Sequence, residues 1–321
     1  MRWLLLLFSG MLILNQSTMN IPQTEISNSL IKAKIYLPDT EKGYYRGTRF
    51  DWSGNMPELV FNGHSYFGEW YTWYTKYSPE IHDVIMGPVE EFTALDYAET
   101  KAGDTFIKIG VGVLTKPDDQ PYQFSRVYPV VNHGKWSVKK HSDKVEFTHI
   151  LNDKVYAYKY DKTVQLVKDK PELVLYHTLK NTGTKTIETS VYDHNFFMID
   201  NQPIGPDYTI RFPFELSGNG EGIGVLAEVK GKGIDFLRVV KRPETVFCGD
   251  LMGYGPDAKD YDIRIENKKT GAGVRIRCDK PFLKLNYWNC ETTLCPEPYI
   301  KIKAEPGQEI NWTITYEFYT L

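Results

Sequence analysis

Hydrophobic and polar residues alternate along most of the chain, and the alternation has a period of two. In FIKIGVGVL (residues 106–114), Ile107, Ile109, Val111 and Val113 fall on one face, as in a half-buried strand. KVYAYKYDKTVQLV, ELVLYHTLKNTG, TIETSVYDHNFFMI, YTIRFPFEL and NWTITYEFY repeat the pattern, rich in Val, Ile, Thr and Tyr and punctuated by turn residues. IENKKTGAGVRI reads as a hairpin, with a glycine-bearing turn between two alternating arms. Helical periodicity is confined to PEIHDVIMGPVEEF, which allows one short turn. No linker rich in Pro, Gly or Ser and no fixed-period repeat divides the chain. Consecutive antiparallel strands without a break predict an all-β fold, one large β-sandwich domain over residues 20–321. The first hundred residues are more irregular and aromatic, as in GEWYTWYTKY, and are expected to wrap the sandwich or line a cleft.

Composition supports that size of core. The 321 residues are 41% hydrophobic, near the upper limit for a single domain before chains usually split. The net charge of −3 is spread thinly with no basic block, which argues against nucleic acid as a partner and against electrostatic membrane attachment. The opening MRWLLLLFSGMLILNQS joins a short cationic start to an apolar run from Trp3 to Leu14, too short to span a bilayer. It reads as a signal peptide over residues 1–19, so the expected location is exported, periplasmic or secreted, with no membrane association after cleavage. Export in turn governs the cysteines. Cys248, Cys278, Cys290 and Cys295 are expected as disulfides or free thiols, because only Cys290 and Cys295 have a spacing near that of a zinc site and no histidine follows residue 194.

No G-x-S-x-G, Walker loop, H-E-x-x-H or EF-hand pattern is present. What remains are histidines and carboxylates embedded in strands. In ETSVYDHNFFMID the alternation sets Tyr192, His194 and Phe196 on one face and Asp193 on the other. A histidine flanked by aromatics is either a satisfied core residue or the floor of an aromatic cleft. GYYRGTRFDWSG offers Arg49 and Asp51, either as an ion pair on one strand face or with Arg49 turned to a ligand. Trp70, Tyr71, Trp73, Tyr74, Tyr287 and Trp288 are rings that either fill a core or present faces to a sugar.

LVLYHTLKNTGTKTIETSVYDHNFF and CETTLCPEPYIKIKAEPGQEINWTITYEF together resemble the aldose 1-epimerase (galactose mutarotase) family. In that family a mid-chain strand ending in NHTYFNL carries the catalytic histidine, and a terminal block of the form ETQ…PD…PGE leads into the last strand. The resemblance covers residues 170–200 and 285–321 and implies a galactose mutarotase-like β-supersandwich. It implies His194 as catalytic acid and Glu291 as catalytic base, with no metal and no cofactor, on a mono- or oligosaccharide substrate. Anomer exchange needs one proton taken from the C1 hydroxyl and another given to the ring oxygen, which suits such a pair. Cys290 and Cys295 are then expected to staple the loop that holds Glu291. The family's arginine strand and second-histidine loop have no matching motif here; the substrate-binding candidates are Arg49, His82, Glu91, Arg126, Tyr192 and Trp288. Two other readings stay open: a non-catalytic carbohydrate-binding module, and a polysaccharide lyase or hydrolase reusing the site.

Overall fold

The computed structural model describes residues 20–153 and 155–321, so the expected leader lies outside them. Four short strands come first: β1 (Gln23–Ser27), β2 (Ile31–Tyr36), β3 (Glu58–Phe61) and β4 (His64–Ser65). They are followed by β5 (Gly87–Phe92), then β6 (Thr105–Lys108), β7 (Gly112–Thr115) and β8 (Val130–Asn132). A meander of β9 (Lys135–Lys140), β10 (Lys144–Asn152), β11 (Ala157–Leu166) and β12 (Glu172–Asn181) leads to β13 (Ile187–Phe196). The remainder is β14 (Tyr208–Arg211), β15 (Ala227–Lys230), β16 (Gly233–Phe236), β17 (Val246–Cys248), β18 (Asp262–Asn267), β19 (Ala272–Cys278), β20 (Lys284–Asn289), β21 (Leu294–Ala304) and β22 (Glu309–Thr320).

Two sheets dominate. A ten-stranded sheet runs β15-β16-β14-β18-β19-β22-β12-β11-β10-β9, and a five-stranded sheet runs β17-β20-β21-β13-β5. Alternation decides their faces. On β22, Trp312, Ile314, Tyr316 and Phe318 are buried, and on β10 so are Val145, Phe147 and Leu151. These rows meet the inner face of the smaller sheet, where Phe92 packs edge-on against Tyr160 and Trp312. The strands of the smaller sheet are buried on both faces over much of their length, because segments within residues 43–130 cover part of its other side. There Tyr45, Phe50, Trp52, Trp70, Val84, Phe106 and Tyr128 form a second core with Phe196 of β13.

The sandwich is not wholly apolar between its sheets. Glu90 on β5 meets Lys162 of β11 and His177 of β12, and all three are buried. Asp51 lies 3.8 Å from the same Lys162, and Asp193 of β13 accepts from the Tyr316 hydroxyl. Burial alone would raise the Glu90 carboxyl, but Lys162 and His177 hold it at about 2.

Three local expectations change. FIKIGVGVL is two strands, because Gly110 at φ +77° turns the chain back against Asp51, with no room for a Cβ. Arg49 and Asp51 do not pair: Asp51 is drawn to Ser53, Tyr160 and Lys162, while Arg49 faces the opposite layer. The four cysteines are buried free thiols, so no staple closes the loop at Glu291. A short helical turn falls at His82–Val84, within the stretch that allowed it, and two more that the sequence did not suggest fall at Ile199–Asn201 and Ala258–Asp260.

Candidate active site

On the smaller sheet, alternation sends every second residue away from the sandwich interior. Antiparallel register then lines these residues up across the strands. One row pairs Glu91 (β5) with Tyr192 (β13) and Tyr192 with Tyr299 (β21). The next sets Val89 beside His194, and Asn286 (β20) beside Glu297 (β21). Below it, Trp288 (β20) pairs with Phe247 (β17). Apart from the buried Val89, the residues of these rows form the floor of a cavity of about 990 Å³.

His194 and Glu297 face each other at the centre of that floor, with Nε2 3.3 Å from Oε1. The ladder between their strands stops after Tyr192–Tyr299 and resumes at Phe197–Leu294. The gap lies opposite Pro296 and Pro298, which have no N–H to give. Asn195 bridges part of it, donating from Nδ2 to the Pro296 carbonyl at 3.1 Å. The imidazole plane is set by a stack of three rings, His194 on Phe196 at 3.9 Å and Phe196 on Trp70 at 4.8 Å. Phe50 meets the imidazole edge-on. Its Nδ1 is buried without a protein partner.

Electrostatics sets the two groups apart. Burial pushes the Glu297 carboxyl up to about 7, against the opposing pull of Arg49. Burial lowers the His194 imidazole well below its ordinary value, with the charge of Arg49 adding to the effect. Both shifts act in the same sense, favouring a protonated Glu297 and a neutral His194.

Beside the pair is a tightly bonded charged group. Arg49 donates from Nε to Glu91 at 2.7 Å and from Nη2 to the Tyr192 hydroxyl at 2.9 Å. Tyr192 donates to the same Glu91 oxygen at 2.6 Å, and Lys108 reaches the other at 3.0 Å. Burial alone would raise the Glu91 carboxyl, but Lys108 and Arg49 hold it at about 2. The guanidinium lies between the rings of Phe50 and Phe124, 4.5 and 4.3 Å from their centres. Glu91 is thus a permanent anion, already neutralised by its neighbours.

Of the residues expected at the site, Arg49, Glu91, Tyr192, His194 and Trp288 line the one cavity. Three lie elsewhere. Glu291 is the correction that matters most: it pairs with Arg242, whose guanidinium lies over Trp73, and it does not line the cavity. The carboxylate beside His194 is instead Glu297, six residues on, because the chain enters β21 only at Leu294. His82 contacts Asp83 at 3.0 Å, and Arg126 pairs with Asp118 at 2.8 Å, both off the floor. Sequence reasoning missed Glu297, Lys108 and Phe124. Only Glu297 left a readable signal: in LCPEPYIKI, Cys295, Glu297 and Tyr299 share a face. Among the described residues no group of three or more His, Cys, Asp or Glu is placed to hold a metal ion, and no helix is long and apolar enough to cross a membrane.

No family model matches the chain, and no curated protein matches its sequence. Solved structures do match over nearly its whole length. A galactose mutarotase-like protein from Lactobacillus casei ATCC 334 superposes with a TM-score of 0.55 at 15% identity, covering 92% of this chain and 100% of that one. A galactose mutarotase-like protein from Clostridium acetobutylicum gives 0.55 at 13%, covering 93% and 95%. A GalM/aldose epimerase homologue from C. elegans gives 0.51 at 13%, covering 94% and 99%. The chain has the galactose mutarotase-like fold.

Proposed function

We propose that this protein is an acid–base isomerase of the aldose 1-epimerase type, exchanging the anomers of a free sugar or of an oligosaccharide reducing end. The observation that carries the reading is the His194–Glu297 pair, 3.3 Å apart on the floor of an aromatic-lined cavity. The protein supplies one of the two protons that move, and the C1 hydroxyl supplies the other. Glu297 gives its proton to the ring oxygen while His194 takes the C1 hydroxyl proton, and the C1–O5 bond breaks to leave the open-chain aldehyde. After rotation about C1–C2, O5 attacks the other face of C1. His194 then returns its proton to O1, and Glu297 recovers the one on O5. These roles are the reverse of those the sequence resemblance implies, because burial raises the Glu297 carboxyl to about 7 and lowers the His194 imidazole. Trp288 supplies a face for the C–H edges of the ring.

The test is exchange spectroscopy of ¹³C-labelled glucose and galactose with wild type, His194→Asn and Glu297→Gln. Acceleration by wild type, lost in both folded variants, is the expected result; full activity in either variant rejects the mechanism. A second reading, a sugar-binding protein without turnover, draws support from Arg49, whose Nε and Nη2 are already taken by Glu91 and Tyr192. Sugar binding with no acceleration by wild type selects it. An exported location belongs to the same reading and is checked by N-terminal sequencing of the mature protein from cell fractions.

A further inference from the structure

The cleft is larger than one ring needs. A hexose fills on the order of 200 Å³ at the packing density of organic solids, whereas the cavity measures about 990 Å³. Its lining crosses the entire smaller sheet, from Phe247 on β17 through Trp288, Glu297 and His194 to Glu91 on β5, then passes the sheet edge to Tyr122. Four strand spacings of about 4.8 Å make that floor roughly 19 Å wide. The reacting pair sits on β13 and β21, in the interior of the sheet and not at either end of the cleft.

Both ends carry an apolar ring open to solvent. Phe247 is 41% exposed beside Trp288, and Phe124 is 51% exposed over Arg49. Single exposed hydrophobics are common, but here the two flank one continuous cleft. The charges along it do not suit a polyanion. Lys116 is turned to the carbonyls of Tyr97 and Thr100 at 3.0 and 2.7 Å, and Arg49 is neutralised by Glu91. Asp83, Asp119 and Glu221 also line the walls.

From this geometry we infer that the cleft holds a neutral oligosaccharide laid across the strands, with its reducing-end ring over His194 and Glu297 and the units on its non-reducing side running along one arm of the cleft to Phe247 or to Phe124. The placement of the reducing-end ring rests on the isomerase reading; the length and neutrality of the ligand do not. The experiment is calorimetric binding, with anomer exchange measured in parallel. The ligands are α-1,4-glucan, β-1,4-glucan, β-1,4-mannan and β-1,4-galactan oligomers of one to five units, against an oligouronate of equal length.

The expected result is a dissociation constant that falls at least about tenfold from monomer to trimer or tetramer in one of the neutral series. Phe247→Ala or Phe124→Ala should remove that gain. Length-independent affinity in every neutral series, or tighter binding of the oligouronate, overturns the inference even where monosaccharide exchange is catalysed. Length-dependent binding with no exchange by wild type keeps the inference and rejects the isomerase reading.

Discussion

Glu297 stores a cost in the folded state that can be read directly. Its folded carboxyl titrates near 7 against an ordinary value of 4.5, so between those values the native state binds more protons than the unfolded chain. Stability therefore falls as pH rises from about 4.5 to about 7, and it stays lower above that by about 3 kcal/mol. Glu297→Gln should raise the melting temperature at pH 8, with the gain fading below pH 5; an equal shift at both pH values would show that titration is not the cause. The same proton governs turnover. Catalysed exchange should decline above pH 7 as Glu297 loses it, a decline that pH–rate profiles of wild type would reveal. Glu297→Gln and His194→Asn should each cost about 10²–10⁴-fold in rate, while Glu291→Gln, which removes only the partner of Arg242, should leave exchange at the wild-type level. Loss of activity in Glu291→Gln would return that residue to the site.

At the scale of strands, β5 shows how one element serves two layers. Glu91 faces the cleft, and its neighbour Glu90 faces the interior, bonded to Lys162 and His177. Lys162→Met would leave Glu90 and Asp51 buried beside one fewer positive charge, and denaturant unfolding should register a loss of about 3–5 kcal/mol. A change below about 1 kcal/mol would mean the cluster relaxes around the gap. The strands themselves were legible wherever burial is one-sided, since a period of two survives in the sequence; β10, β18 and β22 follow it closely. The face of His194 was legible for the same reason. Its partner was not resolved, because Glu291 and Glu297 lie in one short segment and the choice depends on where the turn ends and β21 begins. Arg49 was ambiguous because its partner Glu91 is 42 residues away, and nothing local distinguishes it from the nearer Asp51.

For the molecule as a whole, the covering segment was the least legible part. The conformation of residues 43–130 is set by packing onto the smaller sheet more than by its own pattern, with Trp52, Trp70 and Tyr128 buried in a core they share with β13. The thiols lie in the same two cores. Burial lifts Cys248 to about 11 and Cys278 to about 12, so neither is a ready thiolate. An aromatic disulfide reagent should count no thiols in the native protein and four after unfolding, and a reductant should leave the melting temperature unchanged. Fewer than four in the unfolded, unreduced protein would reveal a bridge.

The sharing of β5 and β13 between cleft and interior bears on how such a protein diversifies. Substitutions there answer to two neighbourhoods at once, so most are lost to misfolding before specificity is tried. Phe247 on β17 and the loop bearing Phe124 touch the cleft without touching the interior charges. New sugar preferences are most readily acquired at those margins, and a mutagenesis library confined to them should yield a far larger folded fraction than one built on the floor.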